Sequence, residues 1–292
     1  MAKDYIVGVD LGGTKINTVL IDKEGKLVEK LKVKTKKRKQ EIIGQILDSI
    51  NFVSLNKRII GIGIGVPGIL DKKRTRILNL PNLQAWKNTK LKEIIQRKTG
   101  KKVMLENDSN CMILGENIFG YAKNVKDSVC LTIGTGIGGG IIINNKLYSG
   151  RSNAAEFGHI SVSDKYKCSC GNKGCLEEHV SVRGIKRTAK RLSINKNILE
   201  IQKIAKSGNK NARKAYEISG EYLGIGLSNI VKILDPDLIL IGGGISNSGN
   251  LLLKPAIKEM KKRTFFKTCP VKIVKLKDNA GAIGAACLFL DV

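Results

Sequence analysis

The apolar residues of this chain change period in a set order, and that order occurs twice. Residues 5–10 (YIVGVD) and 16–21 (INTVLI) are short β-branched runs on either side of the turn LGGTK, and they read as paired strands. Asp22 to Gly25 makes a second turn, and KLVEKLKV continues as a third strand. Helical spacing follows: Ile42, Ile43, Ile46, Leu47, Ile50 and Val53 predict a helix over residues 40–55. The run IIGIGIGV (59–66) is a strand stopped by Pro67-Gly68. A loop with Pro81 and Trp86 then leads to a helix near 88–99, a short strand KVMLE (102–106) and a helix from about Ser109 to Phe119. The order is βββαβαβα.

The second half opens the same way. The strand SVCLTI (128–133) meets GTGIGGG, which runs on into IIINN and then KLYS. An insertion comes next, with helices over roughly 181–233, the last of them halted by Asp235-Pro236. The strand LILIG (238–242), a helix around 250–262, the strand VKIVKL (271–276) and a helix over 279–290 close the chain. Two similar α/β domains facing a cleft are the economical reading. The first is expected over 1–118, completed by the C-terminal helix 279–292, and the second over 119–278.

Composition narrows the class. The chain has 292 residues, of which 42% are hydrophobic and 26% charged, a soluble globular balance. No apolar run reaches the roughly 18 residues of a membrane span, and MAKDYIVGVD goes straight into a strand without a signal-peptide pattern. The odd number of cysteines (Cys 7) in a chain of this size argues for reduced thiols and a cytoplasmic location. The net charge of +27 attracts polyanions in general. Aromatics are only 4%, however, and the densest basic run, KLKVKTKKRK (Lys30–Lys39), has no aromatic in it. No nucleic-acid-binding module is present, so the charge is read as a lysine-rich solvated surface.

One stretch concentrates the chemistry. EFGHISVSDKYKCSCGNKGCLE (Glu156 to Glu177) holds His159, Cys168, Cys170 and Cys175. One imidazole and three thiols complete a tetrahedral zinc site with no open position, so this zinc is expected to be structural. Gly171 and Gly174 supply the tight backbone such a knuckle needs. Glu156 and Glu177 are not needed as ligands and are placed by the metal. The plainer reading is a surface loop with three reduced cysteines.

Three glycine turns accompany the knuckle. Asp10-Leu-Gly-Gly-Thr-Lys15 ends a buried-looking strand. Gly12 and Gly13 allow close approach of a phosphate, Thr14 and Lys15 add a hydroxyl and a cation, and Asp10 can hold Mg2+. An ordinary hairpin turn is the bland alternative. Gly134-Thr135-Gly136-Ile-Gly138 lies in a G-x-G-x-x-G run that continues as a strand. A dinucleotide fingerprint would open a helix there, so a phosphate-wrapping hairpin is the better reading. Gly243 and Gly244, after LILIG, suit the flat face of an adenosine or a plain βα turn. Glu106-Asn107-Asp108 stands at the carboxyl end of a strand, where Asp108 either takes a proton from an attacking hydroxyl or caps a helix.

DLGGTK, ENDSN, LTIGTGIGGG, the E-x-G-H of Glu156–His159 and CSCGNKGCLE together resemble the ROK family, named for repressors, open reading frames and sugar kinases. The resemblance implies the actin-like, hexokinase (ribonuclease H-like) α/β fold. It also implies ATP- and Mg2+-dependent phosphorylation of the 6-hydroxyl of a hexose, with glucose the expected sugar. By position, Asp108 resembles the catalytic base. Gly68, Asn107, Glu156, His159 and Glu177 resemble the sugar-binding residues, and the first two glycine turns the phosphate loops. His159 would use one ring nitrogen on zinc and the other on the sugar. Glu178 has no counterpart and is expected to face solvent. Ser169 stands where glycine is common, and Ser161–Lys167 is a little short; both bear on specificity. The alternatives are an N-acetylglucosamine, N-acetylmannosamine, fructose or allose kinase, the loop over Gly68 to Trp86 deciding between them. A polyphosphate-dependent glucokinase fits the charge, but the knuckle argues for ATP. A sugar-sensing repressor is expected to carry a helix-turn-helix ahead of the first phosphate loop, and only Met1 to Asp4 precede the first strand. The resemblance also implies a homo-oligomer, dimer or tetramer, with no specific nucleic acid and no membrane as partners.

Overall fold

The computed structural model describes residues 3–80 and 86–290. The first three strands form a meander: β1 (Asp4–Leu11), β2 (Lys15–Asp22) and β3 (Leu27–Lys34). Helix α1 (Lys39–Val53) crosses over to β4 (Arg58–Val66), which runs parallel to β1, and α2 (Leu91–Thr99) crosses to β7 (Val103–Asn107), parallel to β4. The sheet order is therefore β3-β2-β1-β4-β7. The helical face of α1 buries Ile42, Ile43, Ile46, Ile50 and Val53 on this sheet, and Trp86 is wholly enclosed in the same core.

The loop after β4 is more structured than its sequence suggests. It contains a small hairpin, β5 (Ile69–Leu70) and β6 (Ile77–Asn79), closed by the Asp71 side chain. That carboxylate accepts from the Thr75 and Arg76 backbone N–H groups at 2.6 and 2.7 Å and from the Thr75 hydroxyl at 2.8 Å. Helix α2 starts at Leu91 rather than near 88, because Asn88 has a φ of 55° and Thr89 bridges back to Ile77. Residues 81–85, part of the loop expected to discriminate between sugars, lie outside the described residues.

The second sheet repeats the order of the first. Strands β8 (Ser128–Ile133), β9 (Ile137–Ile143) and β10 (Lys146–Leu147) form the meander, and β11 (Leu238–Gly242) and β12 (Val271–Ile273) join in parallel, giving β10-β9-β8-β11-β12. The insertion holds α4 (Leu176–Val180), α5 (Val182–Arg191), α6 (Ile198–Lys206) and α7 (Lys210–Leu234). Asp235 ends α7 in a left-handed conformation ahead of Pro236. Helix α8 (Asn250–Arg263) packs against α7, where Gly220 and Gly224 leave no room for a Cβ against Pro255 and the Ala256 carbonyl. Strand β12 stops at Ile273, three residues short of the apolar run, and the last helix, α9, covers Ala280–Cys287.

The chain divides into two compact units. One comprises Met1–Lys126, Gly140–Ala154 and Val274–Val292, the other Asp127–Gly139 and Ala155–Ile273. Helix α9 is thus part of the first unit. It lies directly on β1 and β4: a Cβ at Gly8 would fall 1.9 Å from the Ala282 carbonyl oxygen, and one at Gly63 would fall 1.7 Å from that of Ala285. Among the described residues no helix is long and apolar enough to cross a membrane.

Candidate active site and metal centre

In the first unit the turn between β1 and β2 is closed by the Gly12 N–H donating to the Lys15 carbonyl at 2.9 Å. Asp10 stands one residue before the end of β1, close under the first turn of α9: a Cβ at Gly281 would lie 2.9 Å from its carboxyl carbon. Burial, and then the charge of Asp108, push its carboxyl up to about 7, against the opposing pull of Lys15 and Lys32. Asp10 and Asp108 are near enough for their charges to interact, and two such carboxylates are a donor set suited to a divalent ion. Lys15 itself is held by a residue that sequence reading did not single out. Asp278 Oδ2 accepts from Lys15 Nζ at 3.3 Å and from Lys32 Nζ at 2.7 Å, and Lys32 is the first cause of its lowered carboxyl pKa. Asn17 Nδ2 donates to the Asp278 carbonyl at 2.9 Å, so the entry to α9 is tied to β2.

The turn at the end of β7 is built around Glu106. One oxygen of this buried carboxylate accepts from the Asn107 N–H at 2.8 Å and from Asn110 Nδ2 at 3.0 Å. The other accepts from Arg74 Nε at 3.1 Å, which ties the β5–β6 hairpin to the turn. Asn107 caps α3 (Asp108–Phe119): its Oδ1 accepts from the Ser109 and Asn110 N–H groups at 2.9 and 3.3 Å. Its Nδ2 donates to the Gly68 carbonyl at 3.3 Å, which brings those two expected sugar residues together. The capping role weighed for Asp108 therefore falls to Asn107. Asp108 is the first helical residue, half-buried, with Oδ1 accepting from the Ser109 N–H at 2.8 Å. Below it, burial first, then Glu106, Asp10 and Asp108, raise the Cys111 thiol well above its usual range, so that residue is inert packing.

In the second unit the loop Gly134–Gly136 joins β8 to β9, whose first residues are Ile137 and Gly138. Its shape is set by Gly134 N–H donating to the Gly136 carbonyl at 2.9 Å, and Thr135 is exposed at its tip. Gly243 follows β11 with a φ of 81°, and its α-carbon is so close to Ile133 that a Cβ would meet that backbone at 2.4 Å; only glycine fits. Gly244 is exposed beside it.

The knuckle gathers its four side chains. One ligand atom from each of His159, Cys168, Cys170 and Cys175 lies within 4.8 Å of all the others. Cys168 Sγ is 3.6 Å from His159 Nδ1, and Cys170 Sγ is 3.6 Å from Cys175 Sγ. A tetrahedron with bonds of about 2.3 Å has edges of about 3.8 Å, so the donor set fits zinc in type, number and spacing. Nδ1 is the metal-side nitrogen of His159. Gly171 and Gly174 have φ of 95° and 71°, the tight backbone the motif needs. Glu156 is exposed just ahead of a short 3-10 turn, Phe157–His159. Glu177 is half-buried, and its Oε2 accepts from the Ile137 N–H of the glycine loop at 2.8 Å.

Glu178 does not face solvent. It is buried and paired with two arginines of α5, Arg183 and Arg187, the latter at 2.8 Å. A turn break at Ser181 sets α5 at a new angle, so helical spacing from Glu178 could not reveal these partners. His179 was missed as well. It is buried, stacked on Tyr222 at 3.8 Å between centroids, and shares a 2.8 Å hydrogen bond with Ser163 Oγ. Burial lowers its pKa to about 4.

The sheet order, the two glycine loops and the Cys3His set together define a class of sugar-kinase-like α/β proteins, and comparison with known proteins agrees. The model of the ROK family matches residues 6–292. The glucokinase of Streptomyces coelicolor is 34% identical over 97% of this chain and 96% of its own length. The xylose repressor of Caldicellulosiruptor bescii is also 34% identical, over 98% of this chain but 78% of its own length. Among solved structures, a ROK family glucokinase from Streptomyces griseus in complex with glucose and AMPPNP superposes with a TM-score of 0.88, at 34% identity, covering 97% of this chain and 98% of that one. The chain belongs to the ROK family and has its actin-like, hexokinase-type fold.

Proposed function

We propose that this protein is an ATP-dependent hexose kinase with glucose as its acceptor. The observation that carries this reading is the end-to-end likeness to a glucokinase solved with glucose and AMPPNP, in a chain that places Asp108 half-buried at the start of α3. Asp108 takes the proton of the sugar 6-hydroxyl as that oxygen forms its bond to the γ-phosphorus and the bond from phosphorus to the β-phosphate oxygen breaks, releasing ADP. Backbone N–H groups of Gly12, Gly13, Thr14, Gly134, Thr135, Gly136 and Gly138 and the ammonium of Lys15 hold the phosphates. Gly243 and Gly244 lie flat against the adenosine. Asn107, the Gly68 backbone, Glu156, His159 and Glu177 hydrogen-bond the sugar hydroxyls. When bound at Asp10, Mg2+ neutralises charge on the transferring phosphoryl group. When bound at the four ligands, zinc orders the segment that carries Glu156, His159 and Glu177.

The test is a coupled assay with ATP-Mg2+ against glucose, fructose, allose, N-acetylglucosamine and N-acetylmannosamine, run on the protein and on Asp108→Asn. The reading expects turnover with glucose above the others. The variant should keep sugar binding and lose turnover by roughly 100-fold or more. Sugar binding without turnover in the unaltered protein would move the reading to a sugar sensor.

A further inference from the structure

We propose that the metal centre also sets the nucleotide-phosphate loop, and that Glu177 is the positioning residue that couples them through α4. This rests on the kinase reading for the identity of the ligand, though not for the geometry.

Helix α4 is a single short turn, Leu176–Val180, and a lone turn of helix has no stability of its own. Its place is fixed from outside. The residue that caps it is Cys175, a wholly buried member of the metal set. Leu176 is buried against Gly226 of α7, where a Cβ would lie 2.8 Å from the Leu176 side chain. The first anchor fixes the rotation of the turn and the second fixes its depth.

From that position α4 and the first residue of α5 hold the glycine loop at both ends. Glu177 Oε2 accepts from the Ile137 N–H at 2.8 Å, and at the start of α5 the Val182 N–H donates to the Gly134 carbonyl at 2.9 Å. The fit is close: a Cβ at Gly136 would stand 2.5 Å from Glu177 Oε2. A carboxylate beside a loop that must attract phosphate is electrostatically unfavourable, and the nearest counter-charge is Arg183, at 3.7 Å from Oε1. The carboxylate is offset there by what it does for the backbone. By taking the Ile137 N–H, it orients the peptide groups before and after it, those of Gly136 and Gly138, toward a ligand. A thiolate on zinc therefore acts on the loop at a distance of two residues, from Cys175 to Glu177.

The experiment uses the full chain with and without zinc, measured by metal analysis. It reads amide exchange of the peptide that spans Gly134–Gly138, and AMPPNP and glucose affinities by titration. Removing zinc with a chelator should speed exchange of the Ile137 amide at least tenfold and weaken AMPPNP binding to a similar degree, with zinc restoring both. Glu177→Ala should do the same while retaining its zinc, and Glu177→Gln, whose amide oxygen still accepts, should recover most of the protection. Unchanged loop exchange after zinc removal, with only glucose affinity lost, would overturn the proposal, as would a chain that takes up no zinc. If the unaltered protein binds no AMPPNP, the kinase reading fails by itself, and loop exchange still decides the coupling.

Discussion

Glu106 serves three donors with one buried carboxylate, and one of them, Arg74, comes from a hairpin far off in sequence. Removing one partner of a buried pair strands the other charge, which costs about 3 kcal/mol or more. Arg74→Met should therefore lower the thermal midpoint and raise the KM for the sugar, because Gly68 and Asn107 lose their common support, while the KM for ATP stays within about twofold. Arg74→Lys should recover part of the sugar affinity, since an ammonium can reach the carboxylate but cannot fork to it. At Asp10 the folded-state pKa of about 7 lies above the ordinary carboxylate value of 3.8. The folded protein then holds a proton that the unfolded chain has released, so this contribution to stability is fully present below pH 3.8 and is lost as pH rises through 7. Asp10→Asn, measured without nucleotide or Mg2+, should show a gain in thermal midpoint over the parent that is larger at pH 8 than at pH 5. An equal gain at both would place the charged carboxylate in solvent. Neither residue's situation was legible in sequence. Asp10 was read as a metal ligand from its place before LGGTK, but its pKa depends on Asp108, Lys15, Lys32 and Asp278, which only folding gathers.

Helix α9 has few large side chains and is buried almost all round: Ala280, Gly281, Ala282, Gly284, Ala285 and Ala286 let it sit on two strands and on α3. The matching concavities are glycines. Besides Gly8 and Gly63, a Cβ at Gly284 would stand 1.6 Å from the Cys111 carbonyl oxygen. Gly63→Ala should cost about 1–3 kcal/mol by overpacking, visible as a fall in the denaturant midpoint, and should loosen the entry to α9 where Asp278 holds Lys15. A neutral outcome would mean that the helix has room to move out. The sequence announced the helices and strands through their periods, and the order βββαβαβα held in the first unit. What it concealed were short elements whose stability comes from neighbours. The β5–β6 hairpin is pinned by Asp71 and Arg74, and α4 is anchored by Cys175 and Leu176; neither has a period long enough to detect.

At the scale of the molecule, the charge of +27 gives the surface a single-signed field. One face of β2 and β3 shows its consequence. The register places Lys15 opposite Lys34, and Asn17 opposite Lys32, with Lys30 next along the strand. Asp278 is the acid set against this row. Like charges at such spacing repel, and a polyphosphate group relieves the repulsion. The KM for ATP should accordingly rise several-fold as salt increases from about 0.1 to 1 M, where the screening length drops from about 10 to 3 Å. The KM for glucose, a neutral molecule, should barely change. Equal sensitivity of the two would point to a general effect of salt on the fold.

The sequence by itself determined the architecture and the chemistry of the knuckle. Alternating and helical periods are local properties, and so is the C-x-C-x4-C spacing with its two glycines. Each survives translation from chain to structure because the residues involved are near one another along the backbone. Only the tertiary structure decided which acids are paired, capped or buried. It moved the helix cap from Asp108 to Asn107, turned Glu178 inward onto Arg183 and Arg187, and spent the Glu177 carboxylate on the Ile137 N–H. An ionisable side chain takes its role from the charges and dipoles within a few ångströms, and in this chain most of those arrive from distant segments.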